Sequence, residues 1–155
     1  LGAGESSDAY HISAPHPEGL GAEAAMRMAL AQGGVQAEQI GYINLHGTGT
    51  RLNDEMEARA VHRLFGDRVP CSSTKALTGH TLGAAGATEA ALAWLLLTTD
   101  LPLPHQRYPA SQRDESLAPI ALLLAPQPLA RALVLSNSFA FGGNNVSLLL
   151  ARSEP

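Results

Sequence analysis

The stretch IGYINLHGTGTRLNDEMEARAVHRLFG, residues 40–66, decides the fold. Ile40 to Leu45 is an apolar run of strand length. It enters HGTGT, where Gly47 and Gly49 permit a sharp backbone turn. Asn53 then reads as a helix N-cap, with Asp54 and Glu55 in the first turn, where the helix dipole favours acids. Met56, Ala60 and Leu64 recur four apart and form a buried stripe, and Gly66 stops the helix after Phe65. A buried strand, a glycine turn and an amphipathic helix in succession predict an α/β layered domain.

The flanking segments extend the pattern. Residues 18–32 form a helix with Ala22, Met26 and Leu30 on one face, ended by Gly33 and Gly34. Residues 68–73 hold a short strand containing Cys71. A loop then carries Lys75 to His80, and His80 or Thr81 opens a helix over 82–98. That helix is apolar on nearly all sides, which predicts a central position. Residues 100–130 contain six of the ten prolines and read as loop, with one strand near 120–124. Strands at about 132–136 and 146–151 flank a glycine turn, and SEP closes the chain. The opening LGAGESSDAYHISAP reads as polar and turn-rich. It has no Met at position 1, and the expectation is a fragment of a longer protein.

Bulk properties narrow the function. The 155 residues are 45% hydrophobic and 15% charged, which suits one packed domain. The net charge is −4 with no basic block, which argues against nucleic-acid binding. The longest apolar stretch holds Glu89 and several small residues, so no membrane span is predicted. No signal peptide is expected from the opening residues. The lone Cys71 fits a reducing cytoplasm. It sits in VPCSS with no histidine beside it, and reads as a buried inert thiol rather than a nucleophile. The six histidines form no HxxxH or HxH pair, and no metal site is predicted.

Three glycine-rich segments carry candidate chemistry. HGTGT at 46–50 places His46 at the end of a strand, where α/β folds commonly bind ligands. The residues alone leave two readings of His46: a ligand-facing group, or a structural histidine satisfied by backbone. STKALTGHTLGAAG at 73–86 offers Lys75 and His80. At or just before a helix N-terminus, His80 would stay neutral and donate a hydrogen bond. Glu89 is the sole acid on an apolar helix; it either pairs with Lys75 or faces solvent at an edge. NSFAFGGNN at 137–145 has no ionisable group. It offers backbone donors around Phe141 and Gly142 for an oxyanion, with Phe141 as a movable plug, or it is an ordinary hairpin turn. No credible covalent nucleophile accompanies these groups.

Taken together, HGTGT, STKALTGHTLGAAG and NSFAFGGNN resemble the β-ketoacyl-acyl-carrier-protein synthases, the condensing enzymes of fatty acid and polyketide synthesis. SDAYHISAP at 7–15 and the approach QIGYINLHG match as well, and the likeness spans essentially all 155 residues. The resemblance implies a thiolase-like fold. Residues 1–155 would be its C-terminal αβα half, with a mixed, mainly five-stranded sheet flanked by helices. It also implies a Cys-His-His centre whose cysteine belongs to the absent N-terminal half. His46 and His80 match the family's two histidines, Lys75 its lysine and Glu89 that lysine's acidic partner. Phe141 matches the gating phenylalanine whose N–H joins the oxyanion hole. Thr48, Thr50 and Ser13 fall where family members touch the phosphopantetheine arm. Phe139, Gly142 and Asn145 complete the expected substrate-binding set.

Two residues depart from the family pattern: Ala140 stands for a glycine between the two phenylalanines, and Asn144 for a threonine. Both bear on acyl-chain preference.

The implied reaction is decarboxylative Claisen condensation of an acyl thioester with malonyl-acyl carrier protein. No cofactor is expected beyond the phosphopantetheine of that carrier. The implied partners are acyl carrier protein, the N-terminal half of the enzyme, and a second subunit in a homodimer or heterodimer. The chain alone is expected to be inactive, and to expose an apolar face. A second expectation of a different class is a non-catalytic, chain-length-factor-like partner of a ketosynthase; His46, Lys75, His80 and Glu89 together argue against it.

Overall fold

The computed structural model describes residues 1–152; the SEP tail at 153–155 lies outside the described residues. The strands are β1 (Gly2–Ser7), β2 (Tyr42–Asn44), β3 (Cys71–Ser72), β4 (Leu133–Phe139) and β5 (Asn144–Ala151). The helices are α1 (Leu20–Gly33), α2 (Arg51–Phe65), the single turn α3 (Lys75–Thr78), and α4 (Ala85–Thr98). The strands form one mixed sheet in the order β1-β5-β4-β2-β3. β2 pairs in parallel with β3 and β4, whereas β5 is antiparallel to β4 and β1.

The register separates two faces. Leu149, Leu135, Ile43 and Cys71 lie in one row across the sheet. They pack beneath α1 and α2 against Met26, Met56, Ala60 and Phe65. The neighbouring row, Leu150, Val134 and Tyr42, faces the other way and packs on Ala93, Leu96 and Leu97 of α4. The result is an αβα sandwich. Each fully buried large side chain of these rows contributes about 1.5–3 kcal/mol.

Four expectations change in detail. β1 was not foreseen. It has no apolar alternation, and it holds its place by pairing with β5 and by the close approach of α1. A Cβ at Gly4 would sit 2.0 Å from the carbonyl oxygen of Ala25, so only glycine admits α1 there. Helix α2 begins earlier than expected, with Thr50 in the cap position, which places Asn53 inside the helix and buried. The segment near 120–124 contributes a single bridge, Leu122 to Cys71. Helix α4 is an outer layer of this chain rather than its centre. Ala85, Glu89, Ala93, Leu96 and Leu97 face the sheet, while Trp94 on the far side is 59% exposed.

Candidate active site

The site is built at the carboxyl end of β2. The strand delivers His46 into a turn where Gly47 has φ 42, and a Cβ at Gly47 would meet that of Ser73 at 2.5 Å. The Gly47 carbonyl accepts the Ser73 hydroxyl at 2.7 Å, tying the turn to the segment that carries Lys75.

His46 is buried. Its ring meets His80 edge-on at 5.4 Å between centroids, and Phe139 at 5.9 Å. Its Nδ1 has no hydrogen-bond partner among the described residues. Burial, reinforced by the nearby Lys75 and His80, pushes its pKa down to about 3, so the imidazole is neutral throughout the physiological range.

His80 is exposed in this chain. A 3-10 turn at Leu82–Ala84 precedes α4, which starts only at Ala85. His80 thus lies just before the helical run that the 3-10 turn opens, two residues ahead of Leu82.

Lys75 and Glu89 form a buried ion pair, Nζ to Oε1, which settles the choice between a paired and an edge-facing Glu89. Burial nevertheless raises the Glu89 carboxyl above its ordinary value, outweighing the attraction of Lys75. The Cys71 thiol is fully buried on β3, and burial raises its pKa strongly, as befits an inert thiol.

The third segment is a β4–β5 hairpin closed by a 3-10 turn at Phe141–Gly143. Phe141 is 82% exposed. The Gly142 N–H donates to the Ile12 carbonyl at 2.8 Å, and the Gly143 N–H to that of Ala140 at 3.1 Å. The Phe141 N–H is the backbone donor of the turn with no acceptor among the described residues. Of the two donors expected here, Gly142 is thus engaged and Phe141 is free.

The remaining expected residues are dispersed. Thr48 and Thr50 share a hydroxyl hydrogen bond of 2.8 Å at the mouth of the turn. Ser13 lies on an exposed loop, its N–H donating to His11 Nδ1 at 3.1 Å. Asn145 is buried, and its amide donates to Asp8 Oδ1 at 2.8 Å and the Gly143 carbonyl at 3.1 Å. It ties the glycine turn to the N-terminal loop.

One residue at the site escaped the sequence reading. Glu57 lies behind the His46 turn and accepts the His46 N–H at Oε1 and the Gly47 N–H at Oε2, each at 2.8 Å. The available signal was its place on the buried stripe, four residues after Asn53 and one after Met56.

The comparisons with known proteins agree with this architecture. Residues 1–108 match the family model "Beta-ketoacyl synthase, C-terminal domain". The chain is 43% identical to 3-oxoacyl-[acyl-carrier-protein] synthase 2 of Rhizobium meliloti, over 98% of this chain and 36% of the relative. It is 40% identical to the enzyme of the same name from Coxiella burnetii, over 98% of this chain and 37% of the relative. Among solved structures, the complex of a ketosynthase with its chain length factor from Xenorhabdus doucetiae superposes with a TM-score of 0.96 at 61% identity, covering 99% of this chain and 38% of the matched one. A β-ketoacyl synthase from Burkholderia phymatum gives 0.90 at 35% identity, covering 99% and 37%. The chain spans little more than a third of the length of the curated relatives it matches. With a thiolase-like αβα fold and these matches, the chain belongs to the β-ketoacyl synthase family, at its C-terminal domain.

Proposed function

We propose that residues 1–155 are the C-terminal domain of a β-ketoacyl-acyl-carrier-protein synthase and supply the His/His/Lys half of its active site. The observation that carries this reading is the pairing of His46, held neutral by burial, with His80 at 5.4 Å, beside a buried Lys75–Glu89 pair. Two imidazoles at one point suit the oxygen of a malonyl thioester. As the bond from the malonyl α-carbon to its carboxylate breaks, carbon dioxide leaves and the electron pair moves into an enolate. Hydrogen bonds from His46 and His80 stabilise the enolate oxygen. The α-carbon then attacks an acyl thioester formed on the cysteine of the N-terminal half. The resulting oxyanion is met by the Phe141 N–H, and its collapse expels the cysteine thiolate. Removing one such donor typically costs about 10²–10³ in rate.

In this reading Thr48, Thr50 and Ser13 guide the phosphopantetheine arm of acyl carrier protein, and Phe139, Gly142 and Asn145 shape the acyl side. Glu89 holds Lys75 in place and sets the local field. No further cofactor is needed, because carbon dioxide loss supplies the carbanion. The protein works in the cytoplasm as a homodimer or heterodimer. A chain-length-factor-like role is the second reading, favoured by the Xenorhabdus doucetiae complex among the solved relatives; the complete His46, Lys75, His80 and Glu89 set opposes it.

The test compares the isolated chain with the assembled synthase. The chain alone is expected to release negligible carbon dioxide from malonyl-acyl carrier protein and to remain unacylated at Cys71. In the assembled enzyme, His46→Ala or His80→Ala should abolish decarboxylation. Undiminished decarboxylation in both variants, or acylation of Cys71, would overturn the reading.

A further inference from the structure

Among the described residues two carboxylates are buried, and they are held in opposite ways. Glu89 faces an ammonium, whereas the hydrogen bonds to Glu57 from the described residues come from neutral groups. The His46 and Gly47 N–H groups donate to its two oxygens at 2.8 Å each. The Asn137 amide on β4 reaches Oε1 at 3.4 Å, and the Asn53 amide reaches Oε2 at 3.5 Å. Asn137 is itself held by the Ser147 hydroxyl on β5 at 2.8 Å. A buried carboxylate without a counter-ion is costly. An apolar side chain would fill the same space on α2, but it would leave two converging turn N–H groups unpaired.

The His46 ring is otherwise weakly oriented. Its Nδ1 has no partner among the described residues, so no side-chain or carbonyl acceptor fixes its rotation. Its aim therefore follows from the peptide plane that carries it and from packing against Phe139 and His80.

We propose that Glu57 is a positioning residue for His46: its ionised carboxylate, set behind the turn, fixes the His46–Gly47 peptide and with it the aim of the imidazole. The ionised form accepts strongly from both N–H groups; protonation makes one oxygen a hydroxyl, a weaker acceptor whose own proton must find a partner. Burial pushes the Glu57 carboxyl up to about 7, with the backbone N–H groups opposing that rise and Asp54 on the same helix adding to it. The other titratable groups facing it are the Cys71 thiol on β3, itself raised by burial, and the neutral His46. Protonation as pH falls through about 7 therefore loosens the turn, and His46, already neutral, does not titrate there.

This inference rests on the proposed synthase reading for its activity readout, but not for its structural one. In the assembled synthase, Glu57→Gln is expected to lower kcat for malonyl decarboxylation by about 10²-fold. KM should change little, and the acid limb of the pH profile near neutrality should disappear. Glu55→Gln, at an exposed ion pair with Arg51 on the same helix, should leave both unchanged. In parallel, amide exchange at His46 and Gly47 should accelerate in Glu57→Gln, and the His46 ring nitrogen resonances should shift. Should Glu57→Gln not fold, Asn137→Ser keeps the carboxylate but removes a donor to its ionised form, so the acid limb should move to higher pH. An unchanged pH profile and unchanged His46 resonances in a folded Glu57→Gln, or an unmoved limb in Asn137→Ser, would overturn the proposal. If the wild-type assembly does not decarboxylate malonyl-acyl carrier protein, the synthase reading fails, and the exchange rates and His46 resonances still decide the role of Glu57.

Discussion

Replacing Glu89 by glutamine strips the anion from Lys75, which is only 8% exposed between α3 and α4. The wild-type pair is not an obvious source of stability. The Glu89 carboxyl lies above its ordinary value, because desolvation outweighs the attraction of Lys75, and its Oε2 has no partner among the described residues. A buried ion pair of this kind responds differently to one change and to two. Removing a single partner leaves an uncompensated charge and costs about 3–5 kcal/mol. Replacing both partners with apolar groups of similar volume is neutral or stabilising by about 1–4 kcal/mol. Against a total stability of about 5–15 kcal/mol, the single change removes a large share. At about 2–4 °C per kcal/mol, it should lower the melting temperature by roughly 6–20 °C. The assay is urea and thermal denaturation of Glu89→Gln, Lys75→Met and the double variant Lys75→Met/Glu89→Leu. The expected outcome is a loss of about 3 kcal/mol or more in each single variant and a double variant at least as stable as wild type, and more so by up to about 4 kcal/mol. Single losses below about 1 kcal/mol, typical of surface pairs, would show that both ends reach water. A double variant as unstable as the sum of the singles would show that the two groups act independently. Either result would refute the argument that the pair persists to place Lys75.

The pH dependence of stability has a definite sign. Glu57 titrates at about 7 in the folded chain against 4.5 when free, so the unfolded chain ionises first. Stability should fall as pH rises from about 4.5 to 7 and level off above, by about 3 kcal/mol in all, with Glu89 adding a contribution of the same sign; denaturation midpoints across that range check this, and a rise would contradict it. The outer face of α4 and the segments flanking it give the other prediction: with Trp94 on the helix, Leu82 before it and Leu101 after it all more than half exposed, the isolated chain should self-associate in light scattering, and Trp94→Glu should reduce this. A monomeric wild-type chain would show that the face needs no cover.

What was legible in the sequence follows from which forces act locally. The strand-turn-helix at 40–66 could be read because its apolar period and its glycines act within a few residues, and Lys75 with Glu89 because a lone acid on an apolar helix demands a cation. β1 could not be read, since Gly2 and Gly4 are chosen for the approach of α1 rather than for any pattern of their own. The cap of α2 was ambiguous for a similar reason. Thr50 and Asn53 are both good capping residues, and local propensity does not choose between them. The choice is made by what the helix must bury. The extra turn from Arg51 brings Asn53 inside the helix, where its amide reaches the Glu57 carboxylate that holds the His46 turn. Had Asn53 been the cap, it would have remained at the helix mouth, with its side chain turned to the first-turn N–H groups. The partner of Glu57 is the His46–Gly47 turn, eleven and ten residues upstream, and only the packing of α2 back against the end of β2 brings the two together.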